Sequence, residues 1–251
     1  MIKITNTQVF GWEAAIRGMR NPLNSWDKSD SFWVADDNFN ESTKHYSYRY
    51  LIGTNDLGLM KRLRNAGPDH RKFMRMIVVY CDILAPLYWC KEFDTYKVGT
   101  VANSCSTMHT IHKKEFTLED FSCEYLSSCE TDRQREDGTV QHNHPAYKAF
   151  EYLVQYLNIA RNNYNLCVER LKRKDLSDSE RAHINRQKKR HWYSMIQLLP
   201  SSYNQKRTVM LNYEVLANMY KSRKDHKLDE WRKLCDWIRE LPYSELITGE
   251  D

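Results

Sequence analysis

Residues 85–111, APLYWCKEFDTYKVGTVANSCSTMHTI, decide how the chain is read. Ala85-Pro86 ends an apolar stretch, and proline suits the first turn of a helix because the N–H it lacks would be unbonded there anyway. A helix is therefore expected from Leu87 to about Tyr96. Gly99 follows, and then Thr100, Asn103, Ser104, Cys105, Ser106 and Thr107 form a strip of short side chains too polar for a core. Many donors and acceptors in little space suit the edge of a base or a phosphate, and equally suit a plain polar turn.

Upstream of this stretch, KFMRMIVVYCDIL (72–84) alternates around a β-branched centre and reads as a strand. DLGLMKRLRNAG (56–67) places Leu57, Met60 and Leu63 at helical spacing and stops at Gly67 before Pro68. MIKITNTQVF reads as a first strand and Trp12 to Gly18 as a short helix. Residues 20–50, rich in Asn, Ser, Asp and aromatics without clear periodicity, are expected to be a long irregular excursion, an insertion around 20–55.

Downstream, Phe150, Leu153, Val154, Leu157, Tyr164, Cys167 and Leu171 recur every three or four residues and predict one long amphipathic helix over 146–171. Ser177 and Glu180 form a capping box that opens the next helix, which runs to Pro200. RTVML is extended, Asn212 caps a helix that ends at Arg223, and a last helix carries Leu228, Trp231, Leu234, Cys235, Ile238 and Leu241 on one face. With no internal repeat or low-complexity linker, a single domain spanning 1–251 is expected. Its class is α+β, a mixed sheet with a second half dominated by long helices.

The bulk composition narrows the function classes. A 41% hydrophobic and 12% aromatic content suits a folded protein and argues against disorder. No apolar run approaches the roughly 18 residues of a membrane span, and MIKITNTQVFGWEAAIRG lacks the layout of a secretion signal, so a cytoplasmic protein without membrane attachment is expected. Seven scattered cysteines without a CxxC pair point to free thiols in a reducing compartment rather than to zinc. A net charge of +5 is compatible with an anionic small ligand or nucleic acid and requires neither.

The order of strand, Ala-Pro, helix, polar strip, two long helices, Leu-Pro, extended segment and helix ending in Arg resembles the flavin-dependent thymidylate synthases, the ThyX family. Leu199-Pro200, Asn212 and Arg223 match that family's spacing, and the resemblance covers most of residues 72–240. The family's RHR triplet falls on Thr95, Tyr96 and Lys97, and its SxNExSxR pattern on Thr100, Ala102, Asn103, Cys105 and Thr107. A shift by one residue instead puts Asn103 on the Asn and Ser106 on the second Ser. The family's arginine four residues before Leu-Pro is Ile196 here, with Gln197 beside it.

The resemblance implies transfer of a one-carbon (methyl) unit from methylenetetrahydrofolate to a pyrimidine nucleotide such as dUMP. FAD and NADPH would supply reduction, in a homotetramer with sites between subunits. Variant transfers, such as hydroxymethylation or action on a cytosine nucleotide, suit the altered strip as well. Arg223, Asn103, Ser104 and Gln197 are then the candidate substrate-binding residues. Lys97, Tyr96, Thr100 and Asn212 are the candidate cofactor-binding residues, with Lys91 a further source of positive field.

Cys105 takes the place of a family serine and, with Ser106, is the catalytic candidate: a thiolate stabilised by a nearby cation could attack C6 of a pyrimidine. The plain alternatives are a packed thiol for Cys105, a helix cap for Asn212 and a snorkelling stem for Arg223. Because Val215, Met219 and Arg223 lie at i, i+4 and i+8, Arg223 ends an apolar stripe, where its charge calls for an anionic partner. His109/His112 and His142/His144 lack further ligands and read as surface or loop histidines, so no metal is expected. The basic run RAHINRQKKRHWY (181–193) reads as a solvated helix face, with nucleic acid an unlikely partner. Two classes of function remain: a flavin-dependent transferase, and a nucleotide-binding or interaction module of the same fold without flavin.

Overall fold

The computed structural model describes residues 2–40, 45–126, 133–141 and 144–250. Cys129 and His142, read above as a free thiol and a loop histidine, lie outside those residues. By its internal contacts the chain forms two compact units, one of Ile2–Ile83, Asp94–Asn103 and Arg207–Asp251, the other chiefly of Leu84–Phe93 and Ser104–Lys206.

In the first unit, strand β1 (Lys3–Phe10) turns at Gly11 into helix α1 (Trp12–Arg20). Gly11 has φ +96, and a Cβ there would meet the Met76 carbonyl oxygen at 2.1 Å, so only glycine makes this corner. Strands β2 (Phe32–Asn40) and β3 (His45–Leu51) pair antiparallel, with Trp33 opposite Tyr50 and Ala35 opposite Tyr48. The expected irregular excursion is thus a hairpin entered through an ordered loop. A buried carboxylate organises that loop: Asp56, at the start of helix α2 (Thr54–Asn65), accepts bonds from Arg20 Nε (2.7 Å), Ser29 Oγ (2.7 Å) and Ser31 Oγ (2.6 Å). Ser29, Asp30 and Ser31 show no strand pattern because they serve this long-range network rather than local turns.

The predicted strand over 72–84 is shifted. Residues Arg71–Met76 form a 3₁₀ turn in which consecutive Phe73 and Met74 are both buried, which a two-residue period does not allow. Strand β4 (Val78–Pro86) then buries Val79, Cys81, Ile83 and Ala85 in strict alternation. Helix α3 (Leu87–Phe93) is shorter than expected and buries Trp89, Cys90 and Phe93.

The polar strip is not a turn after that helix: Val101–Ser104 is strand β5, exposed throughout, at one edge of a four-stranded sheet ordered β1-β4-β8-β5. Strand β8 (Asn204–Asn212) is central in it. Small polar side chains suit such an edge because they offer little to an unwanted partner strand.

In the second unit, short strands β6 (Arg133–Gln134) and β7 (Val140–Gln141) pair before helix α4 (Pro145–Leu171). Helix α5 (Asp178–Leu198) starts at Ser177 and packs along α4, and the capping box is formed as predicted. Phe150, Val154, Leu157 and Ala160 from α4 and Met195 from α5 close on Ile111, Phe116 and Phe121 in one apolar cluster. Burial of each large member contributes about 1.5–3 kcal/mol. The first unit is completed by helices α6 (Tyr213–Arg223), α7 (Asp229–Arg239) and α8 (Glu245–Thr248), with Leu216, Met219, Trp231, Leu234, Ile238 and Leu246 buried. The class is α+β as expected, and no helix among the described residues is long and apolar enough to cross a membrane.

Candidate functional site

Helix α6 begins with the cap the sequence predicts: Asn212 Oδ1 accepts from Val215 N at 2.9 Å. The amide end of the same side chain lies against Gly99. A Cβ on Gly99 would come within 2.5 Å of Asn212 Nδ2, and Gly99 has φ +78. Glycine at 99 therefore lets the loop after α3 close onto the N-terminus of α6. In that loop Lys97 is exposed, and the Thr100 hydroxyl is buried without a hydrogen-bond partner. A buried hydroxyl lacking a partner costs free energy that a bound polar group would recover.

At the far end of α6, the half-buried Arg223 follows buried Val215 and Met219, as the spacing predicts. Its neighbours include aromatic groups: Nε donates to Tyr96 Oη at 3.0 Å, and the guanidinium lies 4.6 Å over the Trp231 ring and 5.7 Å from that of Tyr96. Cation–π contacts of this kind contribute about 0.5–2 kcal/mol and hold the guanidinium plane fixed. Tyr96 and Arg223, chosen separately from sequence, are thus brought together.

The other flank of α6 carries residues that sequence reasoning missed. Arg64, Arg71, Lys221 and Lys224, with Asn65 and Asn218, line a cleft of about 420 Å³. Arg71 bonds Glu214 Oε1 and Asn218 Oδ1, each at 3.2 Å, and Arg75 also pairs with Glu214. Burial first, and then the Arg71 charge, lower the pKa of the Arg64 guanidinium. The cleft therefore gathers several cations, of which Arg71 is paired with Glu214 and Arg64 also donates to the Leu246 and Ile247 carbonyls (3.3 and 3.2 Å).

Arg207, also missed, is a buried cation on β8 that pairs with Asp94 at 2.5 Å just after α3. No local signal marks these residues, because the cations come from segments far apart in sequence.

The remaining candidates, apart from Asn103, lie in the second unit. Cys105 is exposed; its N–H donates to the Lys206 carbonyl (2.9 Å) and its carbonyl accepts from Gln205 Nε2 (2.8 Å), so the backbone around the thiol is fixed. By contrast, burial pushes the Cys81 thiol up to about 12, which makes it a packing group. Ser106 Oγ accepts from Met108 N (3.2 Å) and His109 N (3.0 Å), the geometry of a hydroxyl-stabilised turn. Ser104 and Gln197 are exposed, and so is Asn103 in the first unit. Ile196, at the family's arginine position, packs against the apolar cluster.

His112 is a half-buried loop residue whose ring lies 4.6 Å from that of Tyr164, and burial lowers its pKa. Among the described residues, no three His, Cys, Asp or Glu side chains are grouped to hold a metal ion. Along 181–193 most residues are exposed, and Lys189 lies 5.8 Å over the Tyr193 ring.

This arrangement of strands and helices is the fold of the flavin-dependent thymidylate synthases. A ThyX from Helicobacter pylori complexed with FAD and dUMP is similar to the chain with a TM-score of 0.58 and 16% identity, over 98% of each chain. A second Helicobacter pylori ThyX structure with FAD and dUMP gives the same TM-score and identity over 99% of this chain and 98% of that one. A UMP/dUMP methylase PolB from Streptomyces cacaoi bound with 5-Br dUMP follows at TM-score 0.53 and 10% identity, over 99% of this chain and 94% of that one. No protein-family model and no curated protein matches the sequence.

Proposed function

We infer that the protein is a nucleotide-directed transferase that moves a one-carbon unit onto a pyrimidine nucleotide of the dUMP type, with a flavin as the redox group. The observation that carries this reading is helix α6. It presents a guanidinium clamped by Tyr96 and Trp231 at one end, a cationic cleft on its flank, and Asn212 fastened to the Gly99 loop at its start. Two solved structures of the same fold hold FAD and dUMP, and a third holds a brominated dUMP.

The residues present fit the anionic part of a dinucleotide cofactor. Arg64, Arg71, Lys221 and Lys224 would hold its phosphates, and Asn65 and Asn218 offer amides beside them. Bound flavin would supply hydride chemistry, while methylenetetrahydrofolate and NADPH would be the carbon and electron donors. Arg223 would take the substrate phosphate, with Tyr96 keeping its fork oriented. Thr100 would give its unpartnered hydroxyl to a bound polar group. Cys105, on a fixed backbone and open to solvent, would be the nucleophile, and Ser106 would shape the turn after it.

A homo-oligomer belongs to the same reading. Tyr152, Tyr156 and Ile159 stand exposed on one face of α4, where a second copy would cover them.

The first test is the absorbance spectrum of the protein after saturation with FAD and gel filtration. Flavin bands that co-elute, and that are lost in an Arg64→Ala, Arg71→Ala double variant with unchanged circular dichroism, are expected. A colourless protein that still binds dUMP would replace the transferase by a nucleotide-binding module, the reading favoured by Thr95 and Tyr96 standing where the family has cationic side chains.

A further inference from the structure

A second cavity in the first unit has a different chemistry from the α6 site. It has a volume of about 730 Å³ and lies where the end of β1 and the start of α1 face the β2–β3 hairpin and Tyr243. Its walls are aromatic. Trp33 and Tyr50 are directly opposed across the hairpin with ring centroids 5.1 Å apart, and Tyr48 lies on the same face two residues along. The residue opposite Tyr48 is Ala35, so its cross-strand partner leaves the ring face uncovered. Trp33 is 55% exposed and Tyr48 63% exposed, although both line the cavity.

The opposite wall is fixed. Trp12 is wedged edge-on between Tyr213 and Tyr243, each at 5.2 Å, and Tyr243 Oη accepts from Ile52 N at 3.2 Å at the end of the hairpin. A concave site of this size, mostly apolar and with few polar groups, is the usual form of a small-molecule pocket.

The charged side chains lining this cavity are Glu13 and the exposed Arg49, and of the two Glu13 is the hydrogen-bond acceptor. Its Oε2 accepts from Trp33 Nε1 at 3.2 Å, which orients the carboxylate beside the ring, and Arg17 lies at 3.9 Å from Oε1. A carboxylate accepts about four hydrogen bonds, so one oriented by a single indole still has acceptor sites for two adjacent N–H donors. Stacking rings with a carboxylate at their edge suit a flat heterocycle that carries a ring N–H next to an exocyclic amino group.

We propose that this cavity binds a guanine-type base, stacked on Trp33 and Tyr48 with its N–H edge on Glu13. The site is separate from the pyrimidine-nucleotide reading of α6 and stands or falls independently of it.

The experiment is a titration of the intact protein with guanosine, followed by tryptophan fluorescence, with inosine as the analogue that lacks the amino group. Saturable quenching is expected, weaker for inosine and for Glu13→Gln by roughly ten- to hundredfold, as befits loss of a charge-assisted bond. Trp33→Ala should abolish the quenching. Equilibrium dialysis with labelled guanosine should show that it also removes the binding, while dUMP binding is unchanged.

Three results would overturn the proposal. One is no saturable binding of guanosine by dialysis. Another is equal affinity for guanosine and inosine. The third is a Trp33→Ala protein whose oligomeric state shifts while guanosine binds neither form, which would assign the aromatic face to a second copy of the chain.

Discussion

Asp56 shows how much one side chain can organise. It is fully buried and bonded to Arg20, Ser29 and Ser31, and these bonds tie the loop before the hairpin to α2. Burial alone would raise its pKa, but the bonds from Ser31, Ser29 and Arg20 prevail and hold it below the usual carboxylate value. A folded pKa below the unfolded one means stability that is present above the unfolded value, near pH 4, and lost as pH falls through the folded one. Asp56→Asn should therefore cost about 3–5 kcal/mol in urea denaturation at pH 7, because it leaves the Arg20 charge buried and unpaired. The difference from wild type should shrink as pH drops below about 4. A cost that does not change with pH would show that the bonds, and not the charge, carry the effect.

Arg20 and Asp56 were not legible as a pair in the sequence, since nothing local links them. Asn212 and the Ser177/Glu180 box were legible, because a cap needs only residues three apart.

At the scale of elements, the second half was read closely. Helices α4 and α7 carry apolar periods that tertiary context has little power to override, while α5 and α6 were marked by the caps at Ser177 and Asn212. The first half was harder. In the β2–β3 hairpin, β3 alternates Tyr46, Tyr48 and Tyr50 with Ser47 and Arg49, but β2 carries Asp36, Asp37 and Asn38 in a row, which breaks the period expected of a strand. The strip Thr100–Thr107 was read as a polar turn after α3, and its Val101–Ser104 part is instead an exposed edge strand.

The cap of α5 gives a test at this scale. Ser177 Oγ accepts from Glu180 N, and the Glu180 carboxylate reaches back to Ser177 N at 2.9 Å. Ser177→Ala should lower stability by about 1 kcal/mol, seen as a smaller urea midpoint with an unchanged slope. An unchanged midpoint would mean that packing against α4 alone holds the start of α5.

For the whole molecule, the fold was legible from the order of its elements and is that of the ThyX enzymes, while the candidate site was legible only in part. Arg223 and Asn212 could be found because they sit at fixed distances along α6, and Tyr96 because it follows the Ala-Pro-led helix α3 at a fixed distance. Arg64 and Arg71 could not, because a cationic cleft assembled from α2, the 3₁₀ turn after it and α6 leaves no linear motif, and neither does the separate Arg207–Asp94 pair.

The central claim is that α6 anchors a pyrimidine nucleotide through Arg223, and calorimetric titration with dUMP in the presence of FAD tests it most directly. Wild-type protein should bind. Arg223→Ala should weaken binding roughly ten- to hundredfold with an unchanged circular dichroism spectrum, and Arg223→Lys should recover only part of it, since an ammonium cannot replace the planar fork. Equal affinity in wild type and Arg223→Ala, or no dUMP binding by the wild type at any concentration tried, would contradict the account.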